Sequence, residues 1–361
     1  MVATTIKKHN FSAGPAILPQ NVFQEAAQAV LDFNGIGMSI LEISHRSKDF
    51  EAVMAEAEAL VREIGGFDDS YAVLFLSGGA STQFFMAPMN LLGEQEKAAY
   101  VDTGTWSSKA IKEAKLFGNV EVLASSKADN YNYIPKEYSV PKDAVYLHLT
   151  SNNTIFGTQY QAFPDSPVPI VCDMSSDMFS RPFEANKFGL IYAGAQKNIG
   201  PAGVTLVIVK KEWIGRAGRK LPSMLDYSIH LEGESMYNTP PVFPIYVMML
   251  TLRWIKETGG LKMVEQHNQA KAKLLYDEID NNPCFKGTAA REDRSLMNAC
   301  FLPTNPDYEA TFLDACKKAD ISGLKGHRSV GGFRASIYNA MPMESVEVLV
   351  EVMKDFAQKN G

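Results

Sequence analysis

The chain has 361 residues, 46% of them hydrophobic and 21% charged, an ordinary composition for a globular protein with two packed cores. Its net charge of −6 gives no general attraction for nucleic acid or an anionic membrane. The four cysteines lack the spacing of a zinc site or a disulfide framework, and the N-terminus lacks the apolar segment of a secretory signal. We therefore expect no metal, no nucleic-acid or membrane partner, and a location in the reducing cytoplasm.

The first elements in the chain are two helices, which apolar residues at helical spacing predict at 21–31 and 50–64. We expect them to pack on a smaller domain or on a partner subunit. Short apolar runs then alternate with helix-like segments, an order that favours a mainly parallel seven-stranded sheet with helices on both faces. The predicted strands are 72–76, 98–101, 121–124, 144–149, 169–172, 189–193 and 204–209.

Two long helices follow at 246–258 and 261–279, separated by a Gly-Gly pair that ends the first of them. The last hundred residues predict a compact α+β unit. Its elements are a strand at 296–302, a helix at 308–318, a strand at 333–337 and a helix at 345–358. We expect an α/β protein with an N-terminal segment (1–20), a large domain (21–255) and a small C-terminal α+β domain (256–361).

A lysine in a glycine-rich turn is the first candidate for chemistry. Lys197 lies in the segment GAQKNIGPAG (194–203), between two predicted strands. Small neighbours let a bulky ligand approach the backbone, and partial burial lowers the pKa of an amine so that it can form an imine. From this segment alone, an ordinary exposed loop lysine is the better interpretation.

An acid follows a buried strand 24 residues before this lysine. Asp173 ends the run IVCD, at the strand end where open α/β sheets bind ligands, and a carboxylate there can keep a pyridine nitrogen protonated. Alternatively, Asp173 caps the turn through Ser175 and Ser176, and without Lys197 the two interpretations have equal weight.

Three further strand ends carry candidate ligand groups. The segment LFLSGGAST (74–82) joins a strand to a helix through glycines, which suits a phosphate at a helix N-terminus, although an ordinary turn has the same pattern. Trp106 has a face that can stack on a flat ring, or it is simply core. Thr154 can donate its hydroxyl to a ligand, or it belongs to an Asx turn.

Candidate anion-binding side chains occur in two copies of His-Arg-Ser and near one arginine. Arg334, at the start of a predicted strand, can bind a carboxylate through two parallel hydrogen bonds, or it lies on the surface. His45, Arg46, His327 and Arg328 would form a strongly anion-binding pocket if the fold brings both pairs near Arg334. The sequence by itself leaves this convergence open.

The order phosphate turn, tryptophan, threonine, aspartate, lysine and arginine resembles the fold-type I aminotransferases, which use pyridoxal 5'-phosphate. From residue 10 to about 342 the chain is similar to the phosphoserine aminotransferase family of class V. The motifs that carry this similarity are NFSAGP (10–15), EISHRS (42–47), AGAQKN (193–198) and GHRSVGG (326–332).

The resemblance implies a role for each candidate. Lys197 carries the cofactor as a Schiff base, Asp173 pairs with its ring nitrogen, Trp106 stacks on the ring and Thr154 contacts the phenolic oxygen. The cofactor phosphate is held by Ala80, Ser81 and Gln196, and by Asn238 and Thr239 of a neighbouring subunit, so that a homodimer shares its active sites. Arg334 binds the α-carboxylate of the substrate, and His45, Arg46, His327 and Arg328 bind its distal anion.

The reaction implied by the resemblance is ping-pong transfer of an amino group from L-glutamate to 3-phosphooxypyruvate. Its products are 2-oxoglutarate and O-phospho-L-serine, an intermediate of serine biosynthesis. Asn153 departs from the acidic residue that many members carry before the threonine, which removes a charge near the cofactor.

Two alternative functions remain. One is another reaction of the same cofactor, such as β-elimination or transamination with alanine or glyoxylate, and the other is a non-catalytic protein that binds a phosphorylated metabolite at 77–82.

Overall fold

The computed structural model describes residues 8–360. In chain order its strands are β1 (His9–Asn10), β2 (Tyr71–Leu76), β3 (Lys97–Asp102), β4 (Asn119–Ser125), β5 (Ala144–Thr150), β6 (Ile170–Asp173), β7 (Phe188–Gly194), β8 (Thr205–Lys210), β9 (Phe285–Gly287), β10 (Asn298–Pro303), β11 (Ile321–Ser322) and β12 (Phe333–Ser336). Its helices are α1 (Gln20–Leu31), α2 (Lys48–Gly65), α3 (Gly79–Leu91), α4 (Thr105–Ala114), α5 (Tyr227–Glu232), α6 (Val242–Glu257), α7 (Gly260–Asn281), α8 (Tyr308–Lys318) and α9 (Met343–Asn360).

Seven strands form the main sheet, in the order β2-β8-β7-β6-β5-β3-β4. Strand β8 is antiparallel to both of its neighbours, and the other neighbouring pairs are parallel. The predicted mainly parallel seven-stranded sheet is confirmed, and each predicted strand falls on an observed one. Because β2, β3, β5, β6 and β7 run in the same direction, the loops that follow them meet at one edge of the sheet.

Both faces of this sheet are buried except at its edge strand β4, whose residues are exposed or half-buried, and this burial explains why the other strands are apolar runs rather than alternating ones. One face packs with α1, α2 and α6 in a single hydrophobic cluster, and the other packs with α3 and α4. The expectation that the first two helices pack on a small domain was wrong, since α1 and α2 lie against α6, and contact with a partner subunit stays a prediction. Helical spacing identifies an apolar face but not the surface that covers it.

The C-terminal part contains a three-stranded antiparallel sheet in the order β12-β10-β9, packed with α7, α8 and α9. The predicted order of strand, helix, strand and helix corresponds to β10, α8, β12 and α9. The short strands β9 and β11 are additions that the sequence did not indicate. Strand β1 pairs with β11, and Phe11 and Ile17 join the C-terminal core. The domain boundaries at 20 and 255 stay a prediction.

Within residues 8–360, no helix combines the length and the apolar character that crossing a membrane requires.

Candidate active site

A cavity of about 450 Å³ lies where the loops after β2, β3, β5, β6 and β7 meet residues from the C-terminal sheet. Its lining includes Gly78, Gly79, Ala80, Ser81, Trp106, Thr154, Asp173, Ser175, Gln196, Lys197, His327 and Arg334. A larger cavity of about 530 Å³ lies beside α2 and β2, but its lining has no comparable lysine and aspartate at strand ends. We therefore take the smaller cavity as the candidate active site.

Lys197 and Asp173 face each other across this cavity. Lys197 Nζ donates a hydrogen bond to Thr154 Oγ1 at 2.8 Å. Burial lowers the pKa of Lys197 to about 8, although the negative charge of Asp173 acts in the opposite direction. The amine is therefore partly unprotonated near neutral pH, as a nucleophile or general base needs to be.

The carboxylate of Asp173 is buried in the wall of the cavity. Its Oδ1 accepts a hydrogen bond from the Ser175 amide at 2.9 Å. Burial raises the pKa of Asp173, while the Lys197 ammonium and the Ser175 hydrogen bonds lower it. A buried carboxylate in a cavity wall favours a ligand cation or N–H donor beside it.

The turn after β2 has the form of an anion site. Gly78 and Gly79 have φ of +101° and +69°, and a Cβ on Gly78 would lie 2.0 Å from Thr82 Oγ1. Only glycine fits this bend, which turns the chain into α3. The first amides of α3 have no partners within the helix, and Ala80 and Ser81 present them at the cavity wall. A phosphate would satisfy these donors.

Trp106 lines the cavity from the first turn of α4. Its ring centroid lies 5.6 Å from Lys197 Nζ, and Phe84 packs at 6.5 Å between ring centroids. The indole Nε1 is buried and has no hydrogen-bond partner among the described residues. The ring is therefore placed next to the amine, where it can cover one face of a flat ligand.

The C-terminal sheet contributes a positively charged side chain, Arg334, to the lining of the cavity. Arg334 Nη1 donates to the Thr154 carbonyl at 3.3 Å, and its buried Nε has no partner in the described part of the chain. His327 also lines the cavity, and burial together with Arg334, Arg328 and Lys109 lowers its pKa. Within residues 8–360, none of these side chains forms an ion pair with an acid. This unbalanced charge suits an anionic ligand.

Besides Arg328, which is exposed next to His327, four predicted residues do not line the cavity of this chain. His45 and Arg46 precede α2, where Arg46 is exposed and donates only its backbone amide, to Ser44 Oγ at 3.2 Å. Asn238 and Thr239 are exposed, and Asn238 borders a smaller cavity beside Ser77 and Thr82 at the start of α3. Their predicted roles require a second subunit.

The site also contains residues that sequence reasoning missed. Gly14 lines the cavity with φ of +146°, and a Cβ there would lie 3.2 Å from Lys197 Cγ. Ser175, considered only for a turn, accepts a hydrogen bond from the Gly194 amide at 3.1 Å and thereby ties β7 to the Asp173 loop. The glycine within the motif NFSAGP was the available signal for the first, and no sequence signal distinguished the second.

Asn153 is almost fully buried and does not line the cavity. Its Nδ2 donates to Thr158 Oγ1 at 2.9 Å, and its backbone accepts a hydrogen bond from the Gly157 amide at 2.9 Å. The amide therefore stabilises the loop that carries Thr154, through a donor that an ionised carboxylate would lack.

Comparisons with known proteins agree with this geometry. The chain is 63% identical over 355 residues to a phosphoserine aminotransferase of Flavobacterium psychrophilum, covering 98% of this chain and 100% of that protein. A phosphoserine aminotransferase structure from Bacillus circulans subsp. alkalophilus superposes with a TM-score of 0.95 at 50% identity, covering 98% and 99% of the two chains. A pyridoxal-phosphate-bound phosphoserine aminotransferase from Trichomonas vaginalis superposes with a TM-score of 0.91 at 39% identity, covering 96% and 100%.

Pyridoxal phosphate fits the groups that the cavity leaves unpaired. The buried carboxylate of Asp173 suits a pyridinium N–H, the amides at the start of α3 suit the phosphate, and the Lys197 amine suits the aldehyde. No group of three or more histidine, cysteine, aspartate or glutamate side chains within residues 8–360 is arranged to hold a metal ion. The sequence model of the class-V aminotransferases matches residues 8–349. The chain therefore belongs to the class-V aminotransferases, and its cofactor is pyridoxal phosphate.

Proposed function

We propose that this protein is a phosphoserine aminotransferase that transfers an amino group from L-glutamate to 3-phosphooxypyruvate in serine biosynthesis. The observation that carries the proposal is the union, in one cavity, of the Lys197–Asp173 pair with the Arg334 guanidinium, which no acid of residues 8–360 neutralises. The relatives support the same substrate, since the curated proteins matched at 52% to 64% identity bear the name phosphoserine aminotransferase.

The residues of the chain have distinct tasks in this reaction. When bound, the cofactor supplies a protonated ring that withdraws electrons from the substrate Cα. Asp173 keeps the ring nitrogen protonated, while Ala80, Ser81 and Gln196 hold the phosphate. Trp106 covers the ring and Thr154 orients it through the phenolic oxygen. Lys197 would hold the cofactor through its amine and would act as the general base that takes the proton from the substrate Cα.

Substrate selection follows from the distribution of positive charge. Arg334 binds the α-carboxylate that every amino acid has, and its unpaired Nε supports this role. His327 and Arg328 bind the distal anion, which is the phosphate of one substrate and the side-chain carboxylate of the other. Elimination from, or transamination with, small neutral amino acids is disfavoured because such a side chain would offer no counter-charge to Arg328 and no acceptor to His327.

We propose further that the active enzyme is a cytoplasmic homodimer in which His45, Arg46, Asn238 and Thr239 complete the partner's site. All four lie outside the cavity of their own chain. The loop that carries His45 also exposes Met38 and Leu41, of which 47% and 61% are accessible, as expected for a surface that a second subunit covers.

The test is product formation by the purified protein. With L-glutamate and 3-phosphooxypyruvate, we expect O-phospho-L-serine and 2-oxoglutarate in equal amounts. Lys197→Ala should abolish turnover, whereas Lys142→Ala, which changes an exposed lysine in a loop, should not. Comparable kcat/KM values for alanine with glyoxylate as for the phosphorylated pair would contradict the proposal.

A further inference from the structure

Lys109 is a cation at the rim of the candidate site that neither the motifs nor the family resemblance singled out. It lies on α4 three residues after Trp106, a spacing that puts both side chains on the same face of the helix. Its ammonium is 4.7 Å from the centroid of the Trp106 ring, and the side chain is exposed. Lys109 does not itself line the cavity, but it contacts Trp106, which does.

Among residues 8–360, the charge of Lys109 has no counter-charge. In this part of the chain Lys109 forms no ion pair or hydrogen bond, and its ammonium lies over the Trp106 ring. It lies near enough to His327 to contribute, after burial and two arginines, to lowering the pKa of that histidine. Helix α4 therefore adds positive charge near His327, which lines the cavity together with Arg334.

We propose that Lys109 is a specificity-determining residue that favours the phosphorylated substrate over the dicarboxylic one. This inference rests on the proposed function. The two substrates have side chains of similar length, so a pocket that accepts both cannot separate them by size. Their charges differ, because a phosphate monoester carries about −1.5 to −2 at pH 7 and a carboxylate carries −1.

The ammonium of Lys109, on its flexible side chain, attracts the more highly charged ligand more strongly. The Coulomb energy is proportional to the charge of the ligand, and a flexible lysine ammonium follows either anion without the fixed geometry of an arginine. At a separation of about 6 Å in water, each unit of ligand charge gives about threefold in affinity, so a dianion gains about tenfold. Lys109 therefore strengthens the binding of both anions, and the phosphate more than the carboxylate.

The experiment compares Lys109→Gln with Lys112→Gln, which removes the same charge from an exposed position one turn further along α4. We expect Lys109→Gln to lower kcat/KM about tenfold for O-phosphoserine and about threefold for glutamate, mainly through KM. Lys109→Arg should restore most of the loss. In 1 M salt, where the screening length falls to about 3 Å, the difference between the two substrates should largely disappear.

Binding of unreactive ligands gives a second readout. Calorimetric titration of the holoenzyme with 3-phosphoglycerate and with 2-hydroxyglutarate should give the same tenfold and threefold losses for Lys109→Gln and no loss for Lys112→Gln. If the parent enzyme does not transaminate O-phosphoserine, the proposed function fails. If it does, but the two glutamine variants have the same preference for phosphate over carboxylate, the inference about Lys109 alone is wrong.

Discussion

At the scale of single residues, the environment of Lys197 determines when its amine can react. Burial displaces the pKa of Lys197 from the ordinary lysine value of 10.5 to about 8, and the Asp173 carboxylate limits that displacement. The unprotonated amine, which is the nucleophile, therefore becomes the main form above pH 8 instead of above pH 10.5. This difference predicts how the protein captures its cofactor.

We predict that the rate of covalent attachment of pyridoxal phosphate to the apoprotein rises with pH, with its midpoint at about pH 8, and then levels off. Stopped-flow absorbance between pH 6 and pH 10 measures this rate. Asp173→Asn should move the midpoint to lower pH, because it removes the negative charge that favours the ammonium. A midpoint near pH 10 in the parent protein would mean that Lys197 is not held in a desolvated site.

Sequence reasoning could predict the residues whose role is indicated by the segments next to them in the chain. Lys197 and Asp173 follow apolar strands, and the topology of a parallel sheet is enough to bring such strand ends together. No neighbouring segment indicates a role for Lys109, because its importance depends on His327, which is 218 positions later in the chain. Likewise, nothing local indicates that His45 and Arg46 lie outside the cavity of their own chain.

At the scale of elements, strands buried on both faces were the most predictable feature. Apolar runs predicted seven strands for the large domain, and all seven lie in the main sheet. Pairing between distant short segments was not predictable, as for β1 with β11, since two residues carry no periodic pattern. The packing of α1 and α2 on α6 was missed for a related reason, because the pattern of an apolar helical face does not indicate which element covers it.

Helix α7 fixes the C-terminal sheet to the Lys197 loop through a buried lysine. Lys271 Nζ donates to the carbonyls of Ile337 and Tyr338 at 3.1 and 2.6 Å. The adjoining Asn339 amide donates to Asn198 Oδ1 at 3.0 Å, one residue after Lys197. A single side chain therefore supports the backbone on which the catalytic loop rests.

We predict that Lys271→Met destabilises the protein by about 1 to 3 kcal/mol at pH 7, because two buried carbonyls lose their donor. Burial lowers the pKa of Lys271 from 10.5 to about 7, so between these values the unfolded chain binds more protons than the folded one. The stability contributed by Lys271 should therefore increase as the pH rises from 7 towards 10. Urea unfolding at pH 7 and pH 9 measures both effects, with the exposed Lys262→Met as the control. A smaller difference between parent and variant at pH 9 would contradict this account.

At the scale of the whole molecule, the cavity is closed by parts of the chain that are far apart in sequence. Gly14 comes from the N-terminal segment, the loop residues from the main sheet, and His327 and Arg334 from the C-terminal sheet. The order of motifs predicted which residues belong to one site, through the family resemblance. The homodimer was likewise predicted only through that resemblance, because contacts between two copies leave no pattern within one copy that separates them from contacts inside the chain.

The proposed homodimer predicts complementation between two defective subunits. If Asn238 and Thr239 serve the partner's cofactor, a purified heterodimer of a Lys197→Ala subunit and an Asn238→Ala, Thr239→Ala subunit contains one intact site and one doubly defective site. We expect about half of the parent activity, although each mutant homodimer is nearly inactive. If the two residues served their own chain, both sites of the heterodimer would carry one defect, and no activity would return. Differently tagged subunits, coexpressed and purified through both tags, allow the measurement, and a heterodimer of Lys197→Ala with the parent subunit gives the half-activity reference.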